Sequence, residues 1–89
     1  MPYINDTFAA RNMLRDRETT PGKAGELNFV FTAAINDFLV LQGLSYSTIN
    51  EAIGALECAK MELYRRIAVP YEDSKIAENG DVYSEELFP

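Results

Sequence analysis

Between Glu26 and Gln42 the apolar positions Leu27, Phe31, Ala34, Phe38 and Leu41 recur at alternating intervals of four and three, which is the seam of an amphipathic helix. Val30 and Ile35 widen that seam into a broad face to be buried. Gly43 stands where a helix commonly stops on a left-handed residue. Ser45 then offers an N-cap, with Leu44 and Ile49 spaced as a hydrophobic staple. The next stripe, Ile49, Ile53, Leu56, Leu63 and Ile67, predicts the longest helix of the chain. Ala52, Gly54 and Ala59 leave room on it for a neighbouring helix. The pair Val69-Pro70 predicts its end, because the residue before proline disfavours helical backbone. Arg65 and Arg66 would then occupy the last turn, where positive charge suits the helix dipole.

The flanks are weaker in pattern. Asn5 or Asp6 can cap a first helix running to about Glu18, with Phe8, Met13 and Leu14 on a thin apolar face and Arg11 and Arg15 sharing another. Thr19-Thr20-Pro21-Gly22 reads as a break. Pro70 can open a fourth helix, closed by Asn79-Gly80, and the tail from Asp81 to Pro89 reads as irregular and acidic. These elements predict a single domain over residues 1–89, with 1–22 as an N-terminal segment and helix and 84–89 as an acidic tail. The expected fold is all-α: a central antiparallel helix hairpin with two short flanking helices. Two short helices cannot cover both the seam of the second helix and the small-residue face of the third, so a homo-oligomer is expected.

With 47% hydrophobic and 25% charged residues, the 89-residue chain has the balance of a folded protein rather than a disordered one. The longest purely apolar stretch, Phe38 to Leu41, is far short of a bilayer span, so no membrane association and a cytoplasmic location are expected. A net charge of −6, with most of the acidic excess after Pro70, argues against duplex nucleic acid as a partner. The lone Cys58, among Ala55, Leu56 and Ala59, reads as a small buried side chain rather than a nucleophile.

Histidine is absent, which removes the commonest general base and most zinc sites. No enzyme activity and no cofactor are expected. Glu72, Asp73, Glu78 and Asp81 lie close in sequence, but their spacing is not that of a Ca²⁺ loop, and a solvated acidic turn explains them better than a metal site. The cluster Tyr64-Arg65-Arg66, continued by Tyr71, Lys75 and Asn79, combines guanidinium forks with aromatic faces, the chemistry that recognises phosphates and bases. Asn79-Gly80-Asp81 adds backbone N–H groups that an anion can use. Against this stands an ordinary arrangement in which Arg65 and Arg66 pair with Glu62 and with Glu72 or Asp73, and the tyrosines are partly buried edges of the core.

The segments Gly25-Glu26-Leu27-Asn28-Phe29, Gly43-Leu44-Ser45-Tyr46, Ile49 through Lys60 (INEAIGALECAK), Glu62-Leu63-Tyr64-Arg65-Arg66, Pro70-Tyr71-Glu72-Asp73, Lys75-Ile76 and Glu78 through Tyr83 (ENGDVY) resemble a family of small uncharacterised proteins of tailed bacteriophages and prophages. The resemblance covers roughly residues 21–83; Lys23-Ala24 and the tail Ser84 to Pro89 depart from the pattern. It brings no activity with it. It implies a small phage protein in the host cytoplasm that works by stoichiometric binding. By analogy with one class of such proteins, the expected function is capture of an anionic small molecule, such as a nucleotide immune signal, in an intersubunit pocket as an anti-defence sponge. Tyr64, Arg65, Arg66, Tyr71, Lys75 and Asn79 are the candidate ligand-binding residues, and the alternative is a protein–protein interaction module or inhibitor of a host protein.

Overall fold

A computed structural model describes residues 2–4, 8–16 and 18–89. The chain is all-helical, and no strand occurs among the described residues. Helix α1 spans Phe8–Arg15, α2 Ala24–Gln42 and α3 Tyr46–Leu63; a π-helical turn, Tyr64–Ala68, leads directly into α4, Val69–Asn79, and a short 3-10 turn follows at Glu85–Leu87. The expected caps at Asn5 or Asp6 and the expected contribution of Phe8 to the first apolar face lie outside what is described. The helix they were to open ends at Arg15 rather than near Glu18.

Helix α2 begins two residues ahead of its expected start. Glu26 sits in its first turn, and the Glu26 carboxylate accepts the N–H of Gly22 at 3.0 Å, drawing the preceding backbone against the positive end of the helix. At the other end Gly43 has φ 89° and ψ 141°. Its φ is positive, as expected at a glycine stop, but its ψ is extended rather than left-handed helical. Ser45 caps α3 as expected, through a reciprocal pair: Ser45 Oγ accepts the N–H of Thr48 at 3.1 Å and Thr48 Oγ1 accepts the N–H of Ser45 at 2.9 Å. Such a cap contributes about 1 kcal/mol. Thr48 Oγ1 also donates to the Gly43 carbonyl at 2.8 Å, which ties the α2–α3 connection together. Leu44 and Ile49 both remain exposed beside it, so the expected staple leaves apolar surface uncovered.

The expected break at Val69-Pro70 does not occur. From Tyr46 to Asn79 the chain stays helical, with Tyr64, Ala68 and Val69 all in right-handed helical backbone. The π turn explains the continuity. Val69 donates its N–H to the carbonyl of Tyr64, five residues back, so the extra residue is absorbed just before Pro70, which has no N–H to give. Pro70 thereby stands at the start of α4, where a missing donor costs least. Arg65 and Arg66 accordingly sit in the interior of a long helix and not in the last turn of a finished one, so the expected dipole interaction does not apply to them.

What the chain does not do is bury itself. Ala52, at 9% exposure, is the one buried side chain among the described residues. Helices α2 and α3 touch each other, yet Leu27, Phe31 and Leu41 of the seam and Ile53, Leu56, Leu63 and Ile67 of the α3 stripe all stay exposed. Phe29 and Val40 stand two positions beyond Leu27 and Phe38, on the opposite side of α2, and are 73% and 76% exposed. Helix α2 is therefore apolar on both sides. By length and composition it also reaches what a membrane crossing requires, with a mean hydropathy of 1.3 and none of that stretch buried. The four-residue run Phe38 to Leu41 did not reveal this, because Asn28, Asn36 and Asp37 interrupt the apolar positions. The tail is open as well: Val82 is 96% exposed, and Tyr83, Leu87 and Phe88 are exposed too.

Candidate functional site

Two clefts open on the described surface. The larger, about 1000 Å³, opens between α2 and α3 and is floored by Phe31, Ala34, Phe38, Ala55, Leu56 and Ala59, with Glu51, Glu57 and Lys60 among its charged rim. Its walls follow from the two sequence patterns: the seam of α2 supplies the large side chains and the alanines of α3 supply the room. Gly54 does not belong to this wall. Two residues on from Ala52, it faces the other side of α3, and a methyl group added there would meet nothing within 4 Å. The expectation that Ala52, Gly54 and Ala59 form one close-approach face is corrected accordingly.

The second cleft, about 700 Å³, lies along the end of α3 and the π turn and is lined by Cys58, Met61, Glu62, Tyr64, Arg65 and Ala68, among others. Cys58 is a free thiol at its edge and is half-buried, not enclosed among alanines as expected. Around this cleft the N-terminal segment meets the long helix. Tyr3 donates its hydroxyl to Glu62 Oε1 at 2.6 Å, Arg65 Nη2 donates to the same oxygen at 2.6 Å, and Arg66 Nη1 approaches the Tyr3 hydroxyl at 3.4 Å. The segment is held from its other side as well, since the Arg11 guanidinium donates to the carbonyl of Ile4 at 2.7 and 3.2 Å.

Electrostatics follow this geometry. The Tyr3 hydroxyl and, after it, the Arg65 guanidinium hold the Glu62 carboxyl below the usual carboxylate range, against the opposing effect of its partial burial. The same hydrogen bond pushes the Tyr3 hydroxyl up, because losing its proton would place a second negative charge beside Glu62. Glu62 keeps its side chain 16% exposed whereas Arg65 is 65% exposed, so the carboxylate is the more covered partner and the guanidinium the more open one.

Of the residues expected to hold a ligand, Tyr64 and Arg65 share the second cleft and Arg66 adjoins them through Tyr3. Tyr71 and Lys75 pair with each other on α4: the Lys75 ammonium lies 5.5 Å from the centre of the Tyr71 ring and also meets Glu78 at 3.2 Å. Asn79 is the exposed last residue of α4 and does not line the second cleft. The arginine–carboxylate pairing expected for Arg65 and Glu62 is present. The residue that sequence reasoning missed is Tyr3, whose short extended segment carried no periodic signal, although a tyrosine beside proline at the chain start is a side chain in need of a polar partner. Among the described residues no group of three or more carboxylate or thiol side chains is gathered as a metal would require, so Glu72, Asp73, Glu78 and Asp81 do not converge.

No curated protein and no solved structure matches the chain. A family signature does, over residues 1–82, and it includes the helix pair, the π turn, the Tyr3 contact and both clefts. The chain therefore belongs to the family described as a domain of unknown function, DUF6899.

Proposed function

We propose that this chain is a non-enzymatic interaction module of the bacteriophage type, acting in the host cytoplasm by docking its helical faces onto protein surfaces. The observation that carries this reading is the exposure of large apolar side chains on both sides of α2, along α3 and in the tail, while Ala52 alone is buried among the described residues. A helix that is apolar all round belongs in an interior, and contiguous apolar surface of this extent marks a binding face. In this reading α2 and α3 run antiparallel as a hairpin about the Gly43–Ser45 turn, and their cleft is half of an interface. The acidic surface around Glu72, Asp73, Glu85 and Glu86 gives the remaining face its charge preference.

The test is cross-linking of the tagged full chain in bacterial lysate, followed by mapping of the linked lysines. A defined protein linked through Lys75 on α4 supports the module. If nothing but the chain itself is linked, the module reading is lost.

A second reading, capture of an anionic small molecule such as a nucleotide signal in an intersubunit pocket, is favoured by one observation: Arg65 and Tyr64 line an open cleft of about 700 Å³ with Arg66 alongside. It ranks second because Glu62 already engages Arg65 at 2.6 Å. A thermal-shift panel of cyclic and ADP-ribose-derived nucleotides tests it, and stabilisation by any of them would promote it over the module.

A further inference from the structure

We infer that the groove between α2 and α3 is filled by the same groove of a second copy of this chain. This rests on the reading of the apolar faces as docking surfaces and names the occupant of one of them.

The surface area identifies the occupant's size. The chain exposes 8196 Å² for a mass of 10.0 kDa. A monomer of that mass that covers its own core exposes about 5,200 Å². The surplus of about 3,000 Å² per chain, about 6,000 Å² for a pair, is on the scale of the large obligate interfaces, which bury roughly 2,000–5,000 Å² or more in total. The radius of gyration agrees: 17.9 Å, against about 12 Å for a self-contained domain of this length.

The chemistry identifies the occupant's surface. The groove presents bulky and small side chains together: Phe31 and Phe38 beside Ala34 from α2, and Leu56 and Leu63 beside Ala55 and Ala59 from α3. A surface that carries both complements itself when turned about a two-fold axis, with the phenylalanines of each copy entering over the alanines of the other. The rim is also self-complementary, because it offers Lys60 as well as Glu51 and Glu57. Joining two such hairpins makes a four-helix arrangement in which the seam of α2 is covered, and that seam is what a single copy leaves bare.

The experiment is light scattering coupled to size exclusion on the full chain across a micromolar concentration series, with thermal midpoints measured on the same samples. The expected result is a mass of at least twice 10.0 kDa and a midpoint that rises with protein concentration. Ala55→Glu, which places a charge in the groove, is expected to weaken association by about a hundredfold or more. Asn50→Glu, on the side of α3 opposite Ala52 and Ala59, should leave it unchanged. If Ala55→Glu loses its helix altogether, the concentration dependence of the wild-type midpoint still decides the matter. An unaltered mass for Ala55→Glu would remove the groove from the interface. A monomer that binds an apolar dye would overturn the second copy and keep the docking reading, whereas a monomer with a radius near 12 Å and no dye binding would overturn both. Co-sedimentation with neutral lipid vesicles at the expense of the assembly would assign α2 to a lipid surface and overturn the inference in that way.

Discussion

The Tyr3 hydroxyl donates to Glu62 Oε1 at 2.6 Å across a separation of 59 positions, which makes it a long-range polar tie in a chain whose helices are otherwise held mainly by their neighbours in sequence. Because Glu62 also receives Arg65, one carboxylate anchors both the N-terminal segment and the first residues of the π turn.

The tie sets a pH window. The folded Glu62 carboxyl titrates below its unfolded range, so its contribution is complete above that range and disappears as pH falls through the depressed folded value. Tyr3 has its folded value raised, so its contribution is complete below the ordinary phenol range and disappears as pH rises through the raised value. Carbon-detected NMR titration of Glu62 should show its depressed value return toward normal in Tyr3→Phe. An unchanged titration in that variant would mean the hydrogen bond is absent in solution.

Gly54→Ala is expected to stabilise the protein by up to about 1 kcal/mol, the helix-propensity difference, because the new methyl group meets nothing within 4 Å in the single chain. Thermal denaturation reads this directly. A loss of stability instead would reveal that another molecule lies against that face of α3.

Pro70→Ala should leave helix content intact and change stability by less than about 1 kcal/mol, because the missing donor sits at the start of α4, where it costs little. It should also erase the π turn, since Val69 no longer needs the carbonyl of Tyr64. Amide connectivities across residues 64–69 report the change, and a fall in helicity would contradict the account of the turn given above.

Arg65 and Arg66 differ in availability, and an anion assay can show it. If an anionic ligand binds, Glu62→Gln should tighten it by releasing Arg65, and Arg66→Ala should weaken it by about tenfold, the worth of one charge-assisted hydrogen bond. Calorimetry with a nucleotide that shifts the melting curve measures both. Equal and negligible effects of the two variants would place the anion elsewhere.

How much of this was legible beforehand depends on how local the determinant is. The end of α2 at Gln42, the positive φ at Gly43 and the Ser45 cap could be read from spacing and residue type, because each is decided within one turn of helix. The pairing of Glu62 with Arg65 is likewise three residues long. Continuation through Val69-Pro70 was not legible: the rule for residues before proline assumes regular hydrogen bonding, and the π turn changes the register one step earlier. Tyr3 was missed because nothing in a nearby stretch predicts a partner 59 positions away. Phe29 and Val40 were missed because attention to one seam hides the apolar residues on the opposite side.

The unbroken helix from Tyr46 to Asn79 has a mechanical consequence. At 1.5 Å of rise per residue it is a strut about 50 Å long, comparable with the 51 Å greatest extent of the molecule. It carries Tyr71 roughly 24 Å and Lys75 roughly 30 Å beyond Ala55. Anything gripping the far end feels whatever is clamped at the near end through a single lever, and the π turn is where the hydrogen-bond register of that lever changes.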